Sequence, residues 1–167
     1  MKRTGLALAM ALLAAPMMVG GVAAQMRPVR PAQPVTVPSV VPVLERACLP
    51  VADGQPVAAG IAAAKSLGFA VTAAQGTLAT LSRGAMVLNL APGNCVLTLE
   101  QDGMASFPHV DHELTGWLPR LGRYWAGALE ADAAGLNARK FRAGGHTVLI
   151  WEVADEGERQ LNINIGK

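Results

Sequence analysis

Aromatic residues, cysteines and recognisable catalytic motifs are all scarce in this 167-residue chain, and each shortage closes a class of function. With aromatics at 4%, the core must be built from small aliphatic side chains around a few large anchors, Trp117, Trp125 and Trp151. Two cysteines without a C-x-x-C spacing remove the usual framework for thiol–disulfide exchange. Ser39, Ser66, Ser82 and Ser106 are the only serines, and none lies in G-x-S-x-G or S-x-x-K. Glycine is plentiful, at 18 residues, but nowhere forms G-x-G-x-x-G or a phosphate-binding loop. The sequence assigns no catalytic residue and no cofactor.

What is present begins at the amino terminus. Lys2 and Arg3 precede an apolar run from Leu6 to Val19 that is interrupted by Pro16, and Val22-Ala23-Ala24 supplies small residues for cleavage before Gln25. Residues 1–24 read as a signal peptide, which makes the mature protein periplasmic or secreted, with no stable membrane anchor after cleavage. Cleavage removes two of the 14 basic side chains, so the basic count falls to the 12 of the acidic residues. A neutral mature chain has no electrostatic drive toward nucleic acid or anionic membranes. The expected partner is a protein or a small-molecule ligand.

Prolines at 28, 31, 34, 38 and 42 make residues 25–42 an extended, polyproline-like spacer, with a ligand for a proline-binding groove as the alternative. Residues 43–167 then form a single domain, long enough to bury its own core. Export places Cys48 and Cys95 in an oxidising compartment, where the one possible pairing is a structural disulfide. Closing that loop limits the unfolded ensemble by about 4 kcal/mol in the chain-entropy model.

Val43, Leu44, Ala47 and Val51 repeat at helical spacing, which predicts a short helix carrying Cys48 and stopping at Pro50. A second helix opens at Pro56 or Val57, shares Ile61, Ala64 and Leu67 on one face, and ends before Gly68. A strand follows over Phe69–Ala73, and Gln75–Arg83 has no assigned element. Alternation then predicts a hairpin, with Met86, Leu88 and Leu90 facing Cys95, Leu97 and Leu99 across Pro92-Gly93-Asn94. Val110, Leu114, Trp117, Leu118 and Leu121 mark an amphipathic helix, with a break or kink near Leu118 from Pro119. Ala126–Leu136 has no strong period. The last third reads as a meander: Asn137–Arg142, then a strand with Thr147, Leu149, Trp151 and Val153 on one face, then one with Leu161, Ile163 and Ile165. The fold class is α+β: one antiparallel sheet of about five to six strands, covered on one face by helices and tied by one disulfide.

His109, Asp111, His112 and Glu113 form the one cluster of metal-capable side chains, but their order does not match H-E-x-x-H. His109, His112 and Glu113 turn away from the Val110/Leu114/Trp117 stripe, as a solvated helix face does, and no metal site is assigned. The alternative function rests on these three: a metal-binding or metal-dependent protein, with His146 as a further ligand. Asp155, Glu156 and Glu158 surround Gly157 in an expected exposed turn. Arg120, Arg123, Tyr124 and Trp125, with Arg139, Lys140, Phe141 and Arg142, read either as core-completing aromatics edged by Arg stems or as a binding surface.

The order Cys48-Leu49-Pro50, Leu67-Gly68-Phe69, Asn94-Cys95-Val96-Leu97, a Trp/Leu helix and a terminal strand pair resembles small exported two-cysteine proteins of Gram-negative proteobacteria. The resemblance implies no activity. The function expected from the whole is a non-enzymatic periplasmic binding or protein-interaction module. Intact mass checks the premise: the exported protein should begin at Gln25 and gain two alkyl groups only after reduction. An uncleaved chain with both thiols free would overturn compartment and disulfide together.

Overall fold

A computed structural model describes residues 39–102, 107–133, 138–155 and 158–167. The segment read as a signal peptide and the proline-rich stretch up to Pro38 lie outside the described residues.

The chain enters through a continuous helical segment: α1 (Val41–Val43), a π-helical stretch (Leu44–Cys48) and α2 (Leu49–Ala52). Val41 and Pro42 thus open a helix rather than close the spacer. The expected stop at Pro50 is corrected. The Leu49 N–H bonds Leu44 O in the wide i→i+5 pattern, and Pro50, which has no N–H to donate, follows where the ladder returns from π to α. The segment therefore continues to Ala52 and buries Val51 and Ala52.

Helix α3 (Val57–Ser66) ends as its glycine predicts. Gly68, at φ +88°, lets its own N–H reach Lys65 O and the Phe69 N–H reach Ala64 O, the paired bonds of a Schellman motif. Helix α4 (Pro108–Tyr124) passes through Pro119 without a break and closes with the same motif. There Ala126 N–H meets Arg123 O and Gly127 N–H meets Gly122 O, with Ala126 holding the left-handed position at φ +50°.

The strands are β1 (Ala70–Gln75), β2 (Leu78–Arg83), β3 (Met86–Ala91), β4 (Asn94–Asp102), β5 (Glu130–Ala133), β6 (Ala138–Ala143), β7 (His146–Asp155) and β8 (Glu158–Gly166). They form one antiparallel sheet in the order β1-β2-β3-β4-β8-β7-β6-β5. Eight strands replace the expected five to six. The two additions are β2, whose inward set is only Ala79 and Leu81, and β5, a four-residue edge of Glu-Ala-Asp-Ala held by pairing with β6. The order is symmetrical about β4/β8, because a helix followed by a four-strand meander occurs twice.

All the described helices pack on one face of the sheet. Leu81, Met86, Leu88, Leu90, Leu97, Leu99, Val148, Ile150, Leu161, Ile163 and Ile165 point toward them and join Phe107, Leu114, Trp117 and Leu121 in one core. The face of β7 is a second correction. Val148 and Ile150 turn inward, opposite Ile165 and Ile163, so Thr147, Leu149, Trp151 and Val153 lie on the other side. Trp151 is therefore not a core anchor, whereas Trp117 is, and Trp125 packs half-buried at the edge of the core. The disulfide joins Cys48, in the π-helical stretch, to Cys95, at the start of β4, both without solvent contact.

Helix α3 approaches the entry segment closely at Gly60, where a Cβ would stand 2.6 Å from Val51 Cγ2 and 3.2 Å from the Ala47 carbonyl. Gly60→Val should lower unfolding free energy by about 1–3 kcal/mol through overpacking. Ala126→Gly should raise it by about 1 kcal/mol by relieving the left-handed conformation. Denaturant melts of both variants check the pair.

Candidate functional site

Three places on the domain gather polar or ionisable groups. The first is a corner where α2, the end of α4 and the start of β7 meet. Asp53, just past α2, accepts hydrogen bonds from Tyr124 Oη (2.8 Å, to Oδ2) and Trp125 Nε1 (2.9 Å, to Oδ1). His146 stacks on Trp125 with the rings 2° from parallel and their centroids 4.5 Å apart. Its Nε2 lies 3.0 Å from the same Oδ1. One oxygen cannot lie in the planes of two stacked rings, and the indole N–H takes the directed bond. The imidazole therefore contacts the carboxylate out of line, as an ion pair only when protonated, while Nδ1 meets Gly144 O at 3.1 Å. Gly144 is required here, because a Cβ on it would stand 2.5 Å from Trp125 O. The cluster ties three elements together. Its residues lie up to 93 positions apart, so no local pattern in the sequence announces it.

The second place is a cleft of about 430 Å³ beside the start of α4. Its floor includes Ile150 and Leu161, and its walls carry Asp111 paired with Arg139 (2.5 Å) and Glu152 paired with Arg159 (3.3 Å). Each guanidinium has a carboxylate, so the cleft carries no net charge.

The candidate metal ligands are not brought together. His109 and His112 are exposed on α4, while the Glu113 carboxylate receives Ser39 Oγ (2.9 Å) and the Val40 N–H (3.0 Å), fastening the start of the domain to α4. His146 meets the opposite end of that helix, at Trp125. Among the described residues no three His, Cys, Asp or Glu side chains converge. The basic and aromatic stretch is likewise divided. Arg120 pairs with Glu45 at 3.2 Å, Phe141 and Trp125 edge the core, and strand alternation puts Arg139 on the helix side and Lys140 and Arg142 on the other. Glu158 is exposed at the start of β8, whereas Ser106, Glu156 and the side chain of Asp155 lie outside the described residues.

The third place is the sheet face that carries no helix among the described residues. Here Thr80 Oγ1 donates to Asn89 Oδ1 (2.8 Å) and Thr98 Oγ1 to Asn162 Oδ1 (2.9 Å), so cross-strand pairs satisfy one oxygen of each amide. Across six strands, Ser82, Val87, Thr98, Asn162, Trp151 and Ala138 stand in register as one uncharged row. Asn162 is only 7% exposed although no helix lies over it, because its neighbours across the strands, Thr98 and Trp151, flank it. Beside this row a groove of about 320 Å³ is lined by Gln75, Leu78, Thr80, Asn89, Asn94 and Val96.

No helix among the described residues is long and apolar enough to cross a membrane. The chain matches no protein-family model, no curated protein and no solved structure.

The corner yields a pH test. Partial desolvation of the half-exposed ring, then the hydrogen bond to Asp53 and its negative charge, raise the Tyr124 phenol above its ordinary value of 10.0. The folded state thus favours neutral Tyr124. Its contribution is full below the unfolded phenol's value and is lost as pH rises through the higher folded one. Denaturant midpoints should fall in that alkaline window for the native chain, and Tyr124→Phe should remove this part of the fall.

Proposed function

We propose that this chain is an exported, non-enzymatic binding module, periplasmic or secreted, that meets its ligand or partner on the helix-free face of the sheet. The observation that carries the reading is the composition of that face. Two of its central register rows, Ser82–Val87–Thr98–Asn162 and Thr80–Asn89–Val96–Asn164, are uncharged from β2 to β8 and continue on β7 into Trp151 and Leu149, with Glu100, Lys140 and Arg142 at their margins. A solvated sheet face ordinarily carries many charges, which keep it monomeric and soluble. Half-exposed Trp and aliphatic side chains among neutral amides are instead the make-up of a contact surface.

The use of the ionisable groups elsewhere supports binding over catalysis. Glu113 fastens the amino-terminal helix, Asp53 joins α2 to α4 and β7, and the arginines of the cleft are paired with carboxylates. A buried Cys48–Cys95 bond is compatible with an oxidising compartment, and removing it would cost about 2–5 kcal/mol.

Photo-crosslinking residues placed at Val96 or Leu149, on the open face, and at Lys65, on the exposed side of α3, test this in cells that export the protein. Adducts are expected from Val96 and Leu149 only. Equal labelling from Lys65, or none from the sheet positions, would sink the reading.

A further inference from the structure

We propose that the helix-free face binds a neutral glycan chain, seated in the groove at Asn89 and stacked on Trp151; this rests on the reading of that face as the binding surface. In the middle of a sheet the backbone N–H and C=O groups are spent on neighbouring strands, so a ligand on the face is recognised by side chains alone. An extended peptide, which binds through its own backbone, is better served by a sheet edge. The side chains offered here are of three kinds. Asn89, Asn94 and Gln75 present amides that both donate and accept, Thr80 presents a hydroxyl, and Leu78 and Val96 present aliphatic surface. A pyranose has the complementary pattern: a rim of hydroxyls that donate and accept, and flat C–H faces that pack on aliphatic or aromatic side chains.

The cross-strand bonds orient the amides for that task. Thr80 and Thr98 each donate to an Asn oxygen, which leaves the NH2 groups of Asn89 and Asn162 without an intramolecular acceptor among the described residues. The groove has no charged side chain in its lining. A neutral groove offers an acidic or basic polymer no ion pair and matches an uncharged one. From the groove, Val96 is in register with Asn164 and Asn164 with Leu149, and Trp151 follows Leu149 on the same face of β7. Leu149 thus lies two strand spacings, about 10 Å, from the groove's edge at Val96, and Trp151 stands two residues further along β7, a span that an extended chain of several sugars covers.

The test is titration of the mature protein with oligomers of β-1,4-linked N-acetylglucosamine and of β-1,4-linked glucose, followed by calorimetry. The acetamido group of the first carries the donor and acceptor that an Asn amide complements. Saturable binding is expected, unchanged between low and high salt because no ions pair. Trp151→Ala should weaken it about tenfold, the loss of one stacking contact. Asn89→Leu, at an exposed position, should weaken it by a similar factor and guards against misfolding of the Trp variant. Arg120→Ala, on the helix side, should leave it unchanged. Absence of binding to both oligomers, or binding that the two face variants leave intact, overturns the glycan assignment. If crosslinks from Val96 and Leu149 persist and join two copies of this chain or another protein, the binding face survives and the glycan does not. If those crosslinks are missing as well, both readings fall.

Discussion

The antiparallel ladder between β4 and β8 is the contact on which the rest of the structure depends. Its pairs run from Asn94↔Gly166 to Asp102↔Glu158 and, among the described residues, are the only strand pairing that joins the first meander to the second. Without it the chain would be two four-stranded sheets, each with an open, pairable edge. The ladder is reinforced on both sides. Toward the helices, Leu97, Leu99, Leu161 and Ile163 are buried in the core, and away from them the Thr98–Asn162 hydrogen bond crosses the same two strands. The disulfide fixes the entry segment to the first inward position of β4, so a covalent bond ends at the strand through which the two halves communicate.

The two faces of the sheet follow different physical rules. The helix side is apolar and close-packed, and its polar groups serve as fasteners at the margins: Glu113 at the start of α1, Asp53 at the corner, and Arg83 beside the end of α3, where it donates to Leu67 O and lies over the Phe69 ring. Groups held in such contacts resist reorganisation, which suits a scaffold. The opposite face keeps its amides and hydroxyls in cross-strand pairs that satisfy one partner and leave others open. A rigid scaffold with a partly satisfied polar surface loses little entropy on binding, because its donors are already placed.

The parts of the fold legible in the sequence are those with a strong local period or a decisive end signal. The β3–β4 hairpin was readable because Met86, Leu88, Leu90, Cys95, Leu97 and Leu99 alternate without interruption. Helix α3 was readable because Gly68 ends it. Strands β2 and β5 were not, since Ala79 and Leu81 are too few to set a period and Glu-Ala-Asp-Ala has no strand preference of its own. The face of β7 was misread for a subtler reason. Val148 and Ile150 form one apolar set and Leu149, Trp151 and Val153 another, so alternation is present in both registers and favours neither.

By itself the sequence determined the α+β class, the one disulfide pairing that two cysteines allow, and the helices that carry a clear amphipathic stripe or glycine stop. These are local or combinatorial properties, and they need no knowledge of what lies across the fold. Tertiary structure alone decided that Ile150 rather than Trp151 faces the helices, that Asp53 meets Tyr124, Trp125 and His146, and that Glu113 holds Ser39 rather than standing free beside two histidines. The physical reason is common to all three. Periodicity shows that a residue has a side, but which side is buried, and against what, is settled only when distant segments compete for the same core.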